Sequence, residues 1–111
     1  MGMELRVLGS SSSGNCYILD NGNEALIIEA GIRFIDVKKA LDFNIRKVVG
    51  CLITHQHNDH AKYAKAMVDC GFHVLALPEV IESKELKGSR VKAIKTGSGY
   101  LLGGFRVIPF P

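Results

Sequence analysis

Val48-Val49-Gly50-Cys51-Leu52-Ile53-Thr54-His55-Gln56-His57-Asn58-Asp59-His60 is the stretch on which the reading of this chain turns. It begins as a continuous apolar run rich in β-branched side chains, the composition of a strand buried on both faces. Its last six residues hold three of the chain's four histidines and a carboxylate. Imidazole nitrogen and carboxylate oxygen are the donors that Zn²⁺ and related cations take. His55 and His57 are two positions apart, so in an extended chain both side chains leave one face and reach one ion together. Asp59 and His60 follow at once, where the chain turns into a helix with Asp59 near its start. This is more than one tetrahedral ion takes from a single segment. The pattern suits two adjacent ions, each completing its shell elsewhere. The cluster is internal and interrupted by Gln56, Asn58 and Asp59, which excludes an affinity tag. His55, His57, Asp59 and His60 are therefore the candidate metal ligands, and Asp59 is also the candidate for orienting a catalytic water.

Outward from this stretch the chain alternates strands and helices. Residues 4–8 read as a strand, residues 9–15 as a Gly/Ser/Asn loop and residues 16–20 as a second strand. Asn21-Gly22-Asn23 turns, and residues 25–29 pair back as a hairpin. Residues 33–43 follow a helical period with Asp36 near the start. After the histidines, the spacing of Ala61, Ala64, Met67 and Val68 predicts one helix over 59–70, stopped by Gly71. A short strand over 73–77 leads to Pro78, which suits the first position of a brief helix. Strands at 90–95, 100–102 and 105–110 complete the chain, with Gly103-Gly104 turning between the last two. This order predicts a mixed α/β layer protein.

Composition narrows the setting. The chain has 111 residues, 47% apolar and 23% charged, as expected of one soluble globular domain. No run approaches the roughly 18 apolar residues of a membrane span, and the first residues lack the pattern of a secretory signal. Met1-Gly2 ahead of a second Met reads as a cloning remnant, which sets the domain at residues 3–111. Cys16, Cys51 and Cys70 are odd in number and contain no CxxC, so a reducing, cytoplasmic setting is expected, with Cys51 a core residue. The net charge of +3 is spread out, with a modest concentration at Lys84, Lys87, Arg90, Lys92 and Lys95. That face permits a phosphate-bearing substrate without arguing for nucleic acid. Val107-Ile108-Pro109-Phe110-Pro111 stops in apolar chain, and third ligands for the cluster are wanting. His73, in a strand-like setting, reads as an ordinary core or surface histidine. The expectation is the N-terminal half of a larger domain.

His55-Gln56-His57-Asn58-Asp59-His60 resembles the HxHxDH signature of the metallo-β-lactamase fold superfamily. Residues 8–17 resemble the opening strand and loop of its small phosphodiesterase-like members. Ala25-Leu26-Ile27-Ile28-Glu29-Ala30-Gly31 resembles the segment that usually ends Ile-Asp-Ala-Gly. The resemblance implies an αββα sandwich of roughly twice this length, of which this chain is the first half. It implies that His55 and His57 bind one metal and Asp59 and His60 a second, with a further His and a bridging Asp supplied beyond Pro111. Glu29 stands where the family has Asp; it keeps the carboxylate that supports the ligands but with a longer reach. Tyr63 stands where many members have Gly.

The expected activity of the intact protein is metal-dependent hydrolysis by a water activated between two divalent ions, Zn²⁺ foremost, with Mn and Fe also suited to these ligands. The favoured substrate is a phosphodiester, either nucleic acid or cyclic nucleotide; a β-lactam or thioester is the enzymatic alternative. The loop carrying Ser12, Ser13, Gly14 and Asn15 either offers N–H and hydroxyl groups to an anionic substrate or is an ordinary polar connection. The competing reading makes this chain, by itself, an inactive half-domain that binds metal or self-associates through uncovered sheet surface, as a homo-oligomer or by exchanging elements with a second copy. No membrane partner is expected.

Overall fold

Alternation of apolar residues builds the front of the sheet. In β1 (Glu4–Ser11), β2 (Gly14–Asp20) and β3 (Ala25–Ile28), neighbouring strands run antiparallel, with Leu5 opposite Leu19 and Leu19 opposite Leu26. The computed structural model describes residues 2–110. Met1 of the expected cloning remnant and Pro111 at the expected domain limit lie outside the described residues. From β3 onward the sheet becomes parallel. β4 (Val48–Ile53), β5 (Val74–Ala76) and β6 (Val91–Ala93) add in sequence, giving six strands in the order β1-β2-β3-β4-β5-β6. Parallel neighbours need crossovers. These are α1 (Phe34–Ala40) with a 3₁₀ turn at Ile45–Lys47, then α2 (Asn58–Ala61) and α3 (Ala64–Asp69), then α4 (Pro78–Ser83).

Side-chain parity divides the apolar residues between two faces. One carries Ile18, Ile27, Cys51, Ile53 and Val74, which pack with Val37 of α1, Ala64 and Met67 of α3 and Val80 of α4, all fully buried. The other carries Leu26, Leu52, Leu75 and Ile94, covered by Leu102 and Phe105. Those two residues belong to a separate antiparallel hairpin, β7 (Tyr100–Leu102) and β8 (Phe105–Val107). A helix layer, a mixed sheet and a β hairpin on its far face make up the expected mixed α/β architecture.

Four boundaries differ from the sequence reading, each for a visible reason. The stretch 9–15 is mostly strand rather than loop, because Gly9, Ser10 and Ser11 pair with Cys16, Asn15 and Gly14 after a bulge at Leu8. Only Ser12-Ser13 turns. The helix expected over 33–43 ends at Ala40, because Asp42 and Phe43 take left-handed backbone and their N–H groups bond back to the Lys39 and Lys38 carbonyls at 3.0 and 2.8 Å. The helix expected over 59–70 breaks in two at Lys62-Tyr63. The last strand stops at Val107 rather than running to 110, since Pro109 has no N–H for a ladder.

Candidate metal centre

The break between α2 and α3 positions the site. In a continuous helix the Tyr63 and Ala64 N–H groups would bond the Asp59 and His60 carbonyls. Instead the Tyr63 N–H donates to the Ala30 carbonyl at 2.9 Å, and the His60 carbonyl accepts from the Ala30 N–H at 2.6 Å. The Asp59 carbonyl accepts from Asn15 Nδ2 at 3.1 Å. The turn after β3 thus takes over the hydrogen bonds of a helical turn and clamps α2 beside it. Gly31 makes this approach possible: a Cβ there would lie inside contact distance of the Asp59 carbonyl oxygen and 2.7 Å from the Asn15 nitrogen.

Glu29 is the pivot. It follows β3 directly, its N–H bonds the Leu52 carbonyl at 2.7 Å, and its φ is 68°. A non-glycine residue in this region costs on the order of 1 kcal/mol or more. The residue is 5% exposed, and its carboxylate is well satisfied. The Thr54 N–H donates to Oε1 at 3.1 Å and the Thr54 hydroxyl donates to Oε2. That hydroxyl has a single proton, so towards His55 Nδ1, 2.7 Å away, it acts as acceptor. The His55 proton is therefore held on Nδ1, and its Nε2 carries the lone pair a metal needs.

His60 faces the same carboxylate. Its Nδ1 lies 3.6 Å from Glu29 Oε1 and is buried without a hydrogen-bond partner among the described residues. Its Nε2 lies 3.6 Å from Asp59 Oδ2 and 3.4 Å from Asn15 Nδ2. The His55 and His60 rings stand 4.4 Å apart between centroids. One donor atom each from Glu29, His55 and His60 lies within 4.8 Å of the others. Nitrogen and oxygen donors converging around an unpartnered buried imidazole nitrogen fit a divalent transition metal. The thiols do not join them. Cys16 and Cys51 lie in the helix-side core, and burial pushes Cys16 up to about 12 and raises Cys51 as well, leaving both neutral.

The residues singled out from sequence fall at different distances from this trio. His55 and His60 belong to it, and Glu29 joins them as a convergent carboxylate. Asp59 is one step removed, its Oδ2 held at 3.3 Å from Asn15 Nδ2. His57 is exposed at the N-cap of α2 and stands outside the trio. Ser12 and Ser13 form an exposed turn, with Ser13 Oγ 2.7 Å from Ser11 Oγ. Gly14 and Asn15 are buried strand residues rather than loop, and Asn15 reaches the Ser11 carbonyl as well as Asp59. His73 is exposed on the strand-entry side and offers its backbone carbonyl to the Cys51 N–H. Sequence reasoning missed Thr54 as a site residue. Its place directly before the first histidine was the available signal.

Residues 10–69 match the model of the Metallo-beta-lactamase superfamily. Exodeoxyribonuclease YycJ of Bacillus anthracis is 35% identical over 65 residues, a segment covering 56% of this chain and 25% of that protein. The fold is similar to that of the metallo-beta-lactamase fold protein YhfI from Bacillus subtilis, with a TM-score of 0.73, 15% identity, and coverage of 97% of this chain and 52% of that one. A metallo-beta-lactamase from Staphylococcus aureus gives a TM-score of 0.72 at 14% identity, covering 95% of this chain and 33% of the other. The chain thus spans about half the length of YhfI and a quarter of the Bacillus anthracis protein.

Proposed function

The chain belongs to the metallo-β-lactamase superfamily, and from that premise we propose that the whole protein is a metal-dependent hydrolase of phosphodiesters, with nucleic acid as its substrate class. The observation that carries the metal-dependent part is the convergence of Glu29, His55 and His60 around a buried, unpartnered imidazole nitrogen. The substrate class is supported by the similarity to an exodeoxyribonuclease over the segment that contains the cluster. The likeness to solved lactamases is a likeness of fold and supplies no β-lactam assignment.

In this proposal the ligands follow the family's histidine signature rather than the trio alone: His55 and His57 would hold one divalent ion and Asp59 and His60 a second, with Glu29 supporting them, zinc preferred and manganese or iron as substitutes. The chemistry such ions supply is Lewis acidity, which makes water a nucleophile near neutral pH and draws charge from a phosphoryl oxygen. The chain's own residues do the positioning. Glu29, through the Thr54 hydroxyl, keeps the His55 proton on Nδ1. Asn15 steadies Asp59 Oδ2, and Asp59 accepts a hydrogen bond from the attacking water and sets its line of approach. The Ser12-Ser13 turn, next to Asn15, offers hydroxyls to the anionic substrate. The test is hydrolysis of a chromogenic phosphodiester by the whole protein with Zn²⁺ or Mn²⁺. His57→Ala is expected to abolish it, and undiminished turnover in that variant sinks the assignment.

One observation favours a second reading for the chain by itself. Met3, Leu5 and Val7 are more than half exposed beside a groove of about 390 Å³ lined by Leu19, Ile28 and Val107. A half-domain with this face open is expected to self-associate. A monomer by light scattering at micromolar concentration would defeat that reading.

A further inference from the structure

We propose that Lys84 is a specificity residue of this site, binding a phosphate of a nucleic-acid chain next to the one being cleaved; this rests on the phosphodiesterase reading above. Lys84 closes α4, its N–H bonded to the Val80 carbonyl at 2.9 Å. Its side chain is half-buried and reaches across to α2, where Nζ lies 2.5 Å from Asn58 Oδ1. Asn58 stands between His57 and Asp59, so this ammonium sits on the rim of the proposed ligand cluster although it is 26 positions away in sequence.

The partner is what matters. An amide oxygen fixes the ammonium in place but does not neutralise it. Among the described residues, Lys84 has no carboxylate within ion-pair distance. Among the described residues Lys62, Lys65 and Lys87 make no ion pair either, but no side-chain hydrogen bond holds them: Lys65 and Lys87 line a cleft with Asp69 and Glu85, and Lys62 lies over the Tyr63 ring. Lys84 is thus a positioned, uncompensated charge beside the cluster. A phosphate oxygen makes a stronger, charge-assisted bond than the neutral Asn58 amide and would displace it. A polynucleotide held at the cluster carries further phosphates for Lys84 to bind, whereas a single-phosphate substrate carries none.

The test compares Lys84→Gln, which keeps a donor for Asn58 but loses the charge, with Lys84→Arg, which keeps the charge. Measurements on the whole protein with Mn²⁺ are KM and kcat for a 12-nucleotide single-stranded oligodeoxynucleotide and for bis(p-nitrophenyl) phosphate, and oligonucleotide binding by fluorescence anisotropy across a salt series. Lys84→Gln is expected to raise KM for the oligonucleotide about tenfold more than for the single-phosphate substrate. It should also lower the log–log salt slope of binding by about 0.7, the amount for one single-strand phosphate contact. Lys84→Arg is expected to restore both. An unchanged slope, or equal losses on the two substrates, overturns the role of Lys84. A wild-type protein that cleaves neither substrate yet loses the same slope in Lys84→Gln keeps the phosphate contact and overturns the hydrolase reading instead. Absence of both cleavage and salt-dependent binding overturns both.

Discussion

Replacing Gly31 with Ala tests the packing that builds the metal centre. The added methyl carbon would sit inside contact distance of the Asp59 carbonyl oxygen, 2.6 Å from its carbon and 2.7 Å from the Asn15 nitrogen. All three are backbone atoms, so no rotamer change relieves the clash. The chain must move apart by about 1 Å, since ordinary carbon contacts begin near 3.5 Å. That movement strains the Ala30 bonds to His60 and Tyr63, at 2.6 and 2.9 Å, and the Gly31 N–H bond to the Asn15 carbonyl at 2.9 Å. Overpacking costs about 1–3 kcal/mol, and each weakened hydrogen bond adds about 1 kcal/mol. A loss of about 4–6 kcal/mol follows, with α2 displaced from Glu29 and metal affinity reduced alongside. The control is Gly99→Ala, where a Cβ meets its nearest neighbours at 3.9 Å and backbone strain does not arise. That change should be neutral or stabilise by about 0.5 kcal/mol. Urea denaturation gives the stabilities, and competition with a chromophoric chelator gives the Zn²⁺ affinity. If Gly31→Ala loses less than about 1 kcal/mol and binds zinc as before, the clamp of Ala30-Gly31 on α2 is not what positions the site.

Three further outcomes are expected. Thr54→Val keeps the shape of the side chain but leaves Glu29 Oε2 and His55 Nδ1 without their shared hydroxyl; zinc affinity should fall about 10–100-fold and recover in Thr54→Ser, and an unaltered affinity in the valine variant argues against the relay. Met67→Ala, at a fully buried position on α3, should cost about 2–5 kcal/mol in urea denaturation, and a cost below about 1 kcal/mol contradicts its place in the core. The third concerns pH. The Lys47 ammonium at 2.7 Å, then the Gly22 N–H, hold the Asp20 carboxyl below its usual range. The folded state binds that proton more weakly than the unfolded chain, so the stabilisation is complete above the unfolded value of about 4 and drains away as pH falls through the lower folded value. Asp20→Asn should flatten the acid limb of stability against pH, and an identical limb in the variant refutes this.

Much of the fold was legible because local patterns and tertiary packing agree. Val48–Ile53 is apolar on both faces because it pairs on both sides and is covered by helices on one face and a hairpin on the other. Tyr100–Leu102 and the Gly103-Gly104 turn needed only alternation and two glycines. The misread boundaries are those where local signal and distant contact compete. Gly9-Ser10-Ser11 carries loop composition, yet β2 lies alongside and supplies the ladder. Residues 59–70 carry a helical period, yet the Ala30 backbone takes the hydrogen bonds that would have joined the two halves.

The sequence by itself determined the donor chemistry and its location. Three histidines and an aspartate follow a buried strand, and covalent order alone places them together at its end. Tertiary structure decided which atoms converge. It brought Glu29, His55 and His60 within reach of one another, left His57 at the margin, drew Asn15 onto Asp59 and set Lys84 against Asn58. The physical reason is that a ligand's side-chain type is written in one residue. Its tautomer, orientation and charge environment are set by partners that the chain meets only after the sheet has formed and the turn at Ala30-Gly31 has closed on α2.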